Sequence, residues 1–125
     1  MQHELNEDQP IYLQVKENIE DSIINETIIA GERIPSTNEF AVFYKINPAT
    51  AAKGVNELVE EDILFKRRGV GMFVTENARQ MLVKKRIDIF YEHYMRPLKK
   101  EANKLGMTKE QLIDMVTREG TDHEN

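Results

Sequence analysis

Apolar residues recur at helical spacing in the first thirty positions of the chain. In "DQPIYLQVKENIEDSIINETI" they follow one another at intervals of three or four residues, which predicts an amphipathic helix. Pro10 suits the first helical position, because its missing N–H would have no acceptor there. Gly31 is predicted to stop this helix. The apolar positions are Tyr12, Val15, Ile19 and Ile23.

Two shorter helices are predicted to follow. Ser36 stands three residues before Glu39, the spacing of a capping box, so a helix of about two turns should begin there. Asn47 and Pro48 then suit the cap and the first position of another helix. Gly54 weakens that helix by up to ~1 kcal/mol, which indicates a close approach to a neighbouring helix or to a partner. The expected buried residues are Phe40 with Phe43 or Tyr44, and then Ala51, Val55, Leu58 and Val59.

The pattern then changes to two β-prone runs, "ILFK" and "MFVT", joined by "RRGVG". Two such runs around glycines predict a β-hairpin, which must lean on the helices because a lone hairpin is marginally stable. A long helical stretch follows, which Pro97 should kink or split and Gly106 should end. Thr108 and Gln111 have the capping-box spacing for a last helix.

These elements predict a mainly α fold with a small β-hairpin. We expect a winged helix-turn-helix DNA-binding domain over residues 1–76, because a short second helix that turns into a third is the usual helix-turn-helix unit. A two-helix C-terminal dimerisation element should follow over residues 77–119. Residues 120–125 are expected to be a flexible tail.

Composition narrows the function classes. The chain has 125 residues and no cysteine, which excludes a disulfide framework and a thiolate metal site. The polar start "MQHELNEDQP" is not expected to be a signal peptide, and no apolar run approaches the roughly 18 residues of a membrane span. A cytoplasmic protein without a membrane partner is therefore expected. The net charge of −5 argues weakly against nucleic acid, yet three cations gather beside the hairpin glycines.

The order of elements suggests where DNA would bind. In a helix-turn-helix the third helix enters the major groove, and a hairpin wing beside it grips the phosphate backbone or the minor groove. The alternatives are a solvated hairpin tip, plain helix capping and an exposed helix face. Packing of Lys53 against the first helix would argue against its role in the groove. The candidates are Ser36, Thr37 and Asn38 for phosphates, Ala49, Thr50 and Lys53 for the major groove, and Lys66, Arg67, Arg68 and Gly69 for the wing.

The stretch "GERIPSTNEFAVFYKINPATAAKGVNELVEEDILFKRRGVGMFV" resembles the GntR family of bacterial transcriptional regulators. The family signature runs Gly-x-x-Leu-Pro-Ser-x-Arg-Glu-Leu-Ala, then a Thr-bearing helix, then Gly-x-Gly-x-Phe-Val. "INPATAAKG" is similar to the variant of the YtrA subfamily, whose tail is short. Asn38 departs from the family, which commonly has a DNA-contacting Arg there. The matching residues are Ile34, Pro35, Ser36, Glu39, Phe40, Ala41, Thr50, Leu58, Gly69, Gly71, Phe73 and Val74.

The resemblance implies a sequence-specific regulator of transcription, a repressor by expectation. A homodimer on an inverted-repeat operator of double-stranded DNA is expected, because one helix-turn-helix makes few contacts and symmetry requires a self-complementary patch. A winged-helix module that binds protein and not DNA is the alternative, and an unknown small-molecule effector is left open. The expected dimerisation residues are Met81, Ile87, Phe90, Tyr94, Leu98, Leu112, Met115 and Val116.

Catalysis is not expected. His3, His93 and His123 lie far apart in the sequence, and their spacing suggests neither a metal triad nor a catalytic dyad. No nucleophile–base pair or carboxylate pair can be recognised. The sequence therefore predicts neither an enzyme nor a cofactor or metal site.

Overall fold

The computed structural model describes residues 5–118, which form two compact units, one ending at Lys85 and the other beginning at Arg86. The fold is mainly α with one antiparallel hairpin, as the sequence predicts. The division expected at residue 76 stays a prediction, and the expected tail at 120–125 lies outside the described residues. The elements are α1 (Ile11–Ile24), α2 (Thr37–Tyr44), α3 (Pro48–Glu60), β1 (Leu64–Arg67), β2 (Gly71–Val74), α4 (Ala78–Phe90), a π-helical turn (Tyr91–Met95), α5 (Arg96–Lys104) and α6 (Lys109–Thr117).

Helix α1 is shorter than predicted at both ends. Pro10 occupies the N-cap and Ile11 the first helical position. The predicted stop at Gly31 is wrong, because the helix already ends at Ile24 and Glu26 takes the left-handed conformation with φ 63°. The Thr27 amide then donates to the Ser22 carbonyl at 2.9 Å, as in a Schellman motif. A glutamate thus fills the position that glycine usually takes.

The core of the first unit lies between the three N-terminal helices and the hairpin. The predicted apolar stripes are confirmed at their centres, while Tyr12 and Val59 are only partly buried. On α2 it is Tyr44 that faces inward, and Phe43 is half exposed. The buried cluster consists of Val15, Ile19, Ile23, Ile34, Phe40, Ala41, Tyr44, Ala51, Val55, Leu58, Ile63, Leu64, Val74, Ala78 and Leu82.

Helices α1 and α3 touch at Gly54. A Cβ at Gly54 would lie 2.7 Å from the Tyr12 carbonyl oxygen and 3.5 Å from the Lys16 amide nitrogen. The close approach predicted from the sequence is therefore confirmed, and the neighbour is α1.

Charged side chains join α1, α3 and α4 within the first unit. The Lys16 ammonium contacts Glu57 at 3.1 Å and Glu61 at 2.5 Å, and the Lys85 ammonium contacts Glu20 at 2.8 Å. Burial opposes the charge on Glu61, but the hydrogen bond from Lys16 and the charges of both lysines outweigh it and lower the Glu61 pKa. Burial likewise opposes the charge on Lys16, yet its two carboxylate partners raise the Lys16 pKa. The network therefore stabilises the packing of α1 on α3.

The hairpin leans on the segment that leads into α2. The strand register pairs Leu64 with Val74, whose side chains are both buried. Residues 31–34 run along β2, where the Ile34 amide donates to the Met72 carbonyl at 2.9 Å and the Gly31 amide donates to the Val74 carbonyl at 2.9 Å. We call residues 64–74 the wing.

The second unit contains the helix break expected at Pro97. The chain passes through a π-helical turn just before Pro97, in which the Arg96 amide donates to the Tyr91 carbonyl. A π-turn accommodates proline, which cannot donate to a helical carbonyl. Gly106 follows α5 with φ 69°, and the capping box of Thr108 and Gln111 opens α6, both as predicted.

Candidate nucleic-acid interface

The N-terminus of α2 is capped by Ser36 and presents further backbone N–H groups in its first turn. The Ser36 hydroxyl accepts from the Glu39 amide at 3.0 Å, and a Glu39 carboxylate oxygen accepts from the Ser36 amide at 2.6 Å. The Ser36 amide that donates to the Glu39 carboxylate, followed by the interaction of the Ser36 side chain with that carboxylate, lowers the Glu39 pKa. Ser36 is thus occupied as a cap, whereas the amides of Thr37 and Asn38, in the first turn, have no intrahelical acceptor. Such amides suit an anion.

The start of α3 carries the predicted groove residues. The Asn47 side chain accepts from the Ala49 amide at 2.7 Å and so fixes the first turn. Ala49 is exposed and Thr50 is half-buried on this turn. Both side chains offer methyl groups, which suit contact with a thymine methyl.

Lys53 is placed differently from Ala49 and Thr50. Its ammonium lies 4.0 Å from the centroid of the Tyr12 ring, which belongs to α1. This is the contact with the first helix that argues against a base-reading Lys53. The side chain is nevertheless exposed, and a cation–π contact at an exposed site is worth about 0.5–1 kcal/mol, so it can be exchanged for another partner.

The wing cations are exposed and project from different places. Lys66 pairs with Met72 on the face that also holds Leu64, and Arg67 lies on the opposite face with its guanidinium 5.2 Å from the Phe73 ring centroid. Arg68, Gly69 and Val70 form the connection between the strands, and Gly69 has φ 76°. Within residues 5–118, Lys66, Arg67 and Arg68 have no carboxylate ion pair. Three cations are therefore available to an anionic partner.

Arg33 is a charged residue of this surface that the sequence did not reveal. Its Nε donates to the Val70 carbonyl at 3.2 Å, in the connection between the strands. In the sequence, Arg33 is simply a cation shortly before α2. Its position beside the wing follows from the pairing of residues 31–34 with β2, which the sequence does not show.

The predicted dimerisation residues are divided between the two units, and those of the second unit lie either on exposed helix surface or in a groove. Met81 belongs to the first unit. In the second unit, Ile87, Phe90 and Tyr94 are exposed, and the rings of Phe90 and Tyr94 lie 5.3 Å apart. The remaining four line an apolar groove of about 630 Å³ together with Tyr91, which the sequence offers as an alternative to Phe90, and with further residues that it does not single out. The large apolar lining residues include Leu98, Leu112, Met115 and Val116, joined by Tyr91, Met95, Leu105 and Ile113, and the groove is also bordered by Lys99, Glu101 and Lys109.

Other site types find no support among the described residues. No group of three or more His, Cys, Asp or Glu side chains in residues 5–118 is arranged to hold a metal ion. In the same residues, no helix has the length and apolar character needed to cross a membrane.

Three helices, a capped helix-turn-helix and a cationic wing define the first unit as a winged helix-turn-helix of the DNA-binding class. The gntR family of bacterial regulatory proteins matches residues 11–74, which is half of the chain. The chain belongs to this family, and its relatives are regulators of transcription.

Two curated relatives from Bacillus subtilis (strain 168) match nearly end to end. The uncharacterized HTH-type transcriptional regulator YhcF is 29% identical over 93% of this chain and 94% of its own. The HTH-type transcriptional repressor YtrA is 29% identical over 86% of this chain and 82% of its own. The likeness therefore includes the second unit as well as the winged helix.

Solved structures show the same fold. A GntR family transcriptional regulator from Listeria monocytogenes superposes with a TM-score of 0.77 at 29% identity, covering 96% of this chain and all of that one. The DNA-binding domain of AraR in complex with operator ORX1 superposes with a TM-score of 0.53 at 33% identity, covering 60% of this chain and 92% of that one.

Proposed function

We propose that this chain is a transcriptional repressor that binds an inverted-repeat operator in double-stranded DNA as a homodimer in the bacterial cytoplasm. The observation that carries the proposal is the wing, whose three exposed cations have no carboxylate ion pair among the described residues, in a chain whose net charge is −5. The relative YtrA is named a repressor, and the AraR domain was solved with its operator, which supports the same activity here.

In this proposal the wing and the start of α2 hold phosphates. Arg67 and Arg68 neutralise phosphate oxygens beside Gly69, and Lys66, on the opposite face of the hairpin, contributes a separate phosphate contact. The free amides of Thr37 and Asn38 bind a second stretch of backbone. Such contacts position the protein and make its affinity depend on salt.

The first turn of α3 then reads bases. Ala49 and Thr50 contact thymine methyl groups in the major groove. Lys53 would have to leave the Tyr12 ring to reach DNA, and we assign it a phosphate and not a base. An uncharged reading surface gives modest discrimination per half-site, which makes a second half-site necessary.

The second copy supplies that half-site through the groove of the second unit. Most of its lining residues are large and apolar, and Met115 and Val116 are more than half exposed. Exposed apolar surface of this kind marks an interface. A two-fold symmetric pairing of such grooves would bury them in both copies. Sedimentation at micromolar concentration tests this, and a monomer there would contradict the dimer.

Binding to DNA is tested by measuring how the affinity depends on salt. Two duplexes are used, one of random sequence and one enriched from a random pool by its binding to this protein. Affinity should fall as salt rises, with a logarithmic slope of about 0.9 per phosphate contact. Arg67→Ala/Arg68→Ala should weaken binding and reduce that slope. The matched control is Lys100→Ala/Lys104→Ala, which changes the net charge equally on α5 and should leave the slope unchanged.

The same titration separates the alternative function. A winged-helix module that binds only protein would show no salt-dependent association with either duplex. An unchanged affinity and slope in the Arg67/Arg68 variant would remove the wing from the mechanism.

A further inference from the structure

Arg33 connects the segment before α2 to the far end of the wing. It forms an isolated antiparallel bridge with Phe73, and the Val74 amide next to that bridge donates to the Glu32 carbonyl at 2.9 Å. From this anchored backbone the Arg33 side chain extends along β2. Its Nε reaches the Val70 carbonyl in the strand connection at 3.2 Å. A residue far from the wing in sequence therefore holds the wing tip.

Gly71 leaves the space that this side chain needs. A Cβ at Gly71 would lie 2.7 Å from Arg33 Nε and 3.4 Å from its Cδ. Gly71 also has φ 146°, a conformation that side chains rarely adopt. By contrast, Gly69 has open space around it and serves the turn through its φ of 76°. The two glycines of the wing thus have separate roles: Gly69 allows the turn, and Gly71 leaves space for the Arg33 side chain.

The Arg33 side chain also lies near the first turn of α2. Its charge contributes to the lowered pKa of Glu39, after the two hydrogen bonds from Ser36. Within residues 5–118, the hydrogen bond to Val70 is the one that its side chain donates. Arg33 therefore stands between the two phosphate-binding segments of the proposed interface.

We propose that Arg33 is a positioning residue for DNA binding, which holds the wing tip so that Arg67 and Arg68 meet the phosphate backbone together. The inference rests on the proposed function. A single hydrogen bond of this kind changes an equilibrium by about two- to tenfold. That is the range expected for the loss of affinity in Arg33→Ala.

The test is a double-mutant cycle in the full chain, with a random-sequence duplex at low salt as the probe. Arg33→Ala is measured alone and together with Arg67→Ala/Arg68→Ala. If Arg33 acts through the wing, its two- to tenfold effect should vanish once the wing arginines are gone. Gly71→Ala, which keeps the charge of Arg33 but displaces its side chain and also strains the wing at a φ of 146°, should weaken binding by at least that factor.

Arg79→Ala is the matched control. Arg79 is also exposed and also donates its Nε to a backbone carbonyl, that of Ile24 at 2.8 Å. Its loss removes the same charge and the same kind of bond away from the wing, so it should not change the affinity. Thermal unfolding of each variant is followed by circular dichroism, and binding is measured at a temperature where all variants are fully folded. Differences in stability then do not affect the comparison of affinities.

Two results would overturn the proposal. An equal loss with and without the wing arginines would make Arg33 an independent phosphate contact. No loss at all in Arg33→Ala would remove it from binding. The proposed function is judged separately, by whether the unaltered chain binds the duplex with the expected salt slope.

Discussion

Replacement of Gly54 by alanine should destabilise the winged-helix unit, although alanine is the better helix former. Alanine in place of a helical glycine gains about 1 kcal/mol of stability in a helix interior. The new Cβ, however, would lie 2.7 Å from the Tyr12 carbonyl oxygen and 3.5 Å from the Lys16 amide nitrogen. Both obstacles are backbone atoms of α1, which cannot move aside by rotating a side chain.

The helices must therefore separate or slide. Overpacking in a core costs about 1–3 kcal/mol, and a clash with backbone belongs in the upper part of that range. Subtracting the gain in propensity leaves a net loss of about 1–2 kcal/mol for Gly54→Ala. Displacement of α1 from α3 would also disturb the contact of Lys53 with Tyr12 and the ion pairs of Lys16.

Urea denaturation followed by circular dichroism measures this loss at one fixed protein concentration. The denaturation midpoint should fall while the slope with urea stays constant, since the extent of unfolding is the same. Ala52→Gly is the matched control in the same helix, and it should lose up to about 1 kcal/mol through propensity alone. A Gly54→Ala variant stabilised by about 1 kcal/mol would refute the close-packing argument.

Three further outcomes are expected. Acidification should remove the stabilisation that the Glu61 carboxylate contributes, because the pKa of Glu61 is lowered in the fold. That stabilisation is fully present above the ordinary pKa of 4.5 and is lost as the pH falls through the folded pKa. Glu61→Gln should therefore make the unfolding free energy depend less on pH at the acid end of the profile. Val116→Asp should shift the sedimenting species to the monomer by burying a charge in the groove, whereas Lys100→Asp outside the groove should leave it dimeric. Ser36→Ala should cost about 1 kcal/mol of stability by removing the cap of α2, which thermal unfolding would detect, and an unchanged midpoint would contradict the cap.

Local signals explain why so much of the fold could be predicted. Capping boxes at Ser36 and Thr108 and the N-cap Asn47 are written in a few adjacent residues, and all three are found as expected. The apolar stripes follow the helical period, so they locate the buried faces without knowledge of the partner. Gly54 was also informative, because a glycine inside a helix lowers its stability and therefore indicates a close contact with another element.

The misses come from contacts between distant parts of the chain. Glu26 ends α1 in a left-handed conformation for which its side chain has no preference, so no local rule finds it. Lys53 lies over Tyr12 because α3 packs on α1, and Arg33 reaches Val70 because residues 31–34 pair with β2. Each of these depends on tertiary packing, which a reading of residue types along one segment does not include.

The distribution of charge shows how an acidic chain can present a cationic surface. Glu57 and Glu61, with the buried Glu20, are matched by Lys16 and Lys85, so these carboxylates are partly neutralised where the helices pack. Among the described residues the wing cations have no such partners, and they lie on a hairpin that extends from the core. Fields at a surface are set by the nearest charges, because those beyond about 10 Å are screened at 0.1 M salt. The net charge of −5 therefore does not decide the sign at the wing, and the local arrangement of cations is consistent with the phosphate contact proposed for this surface.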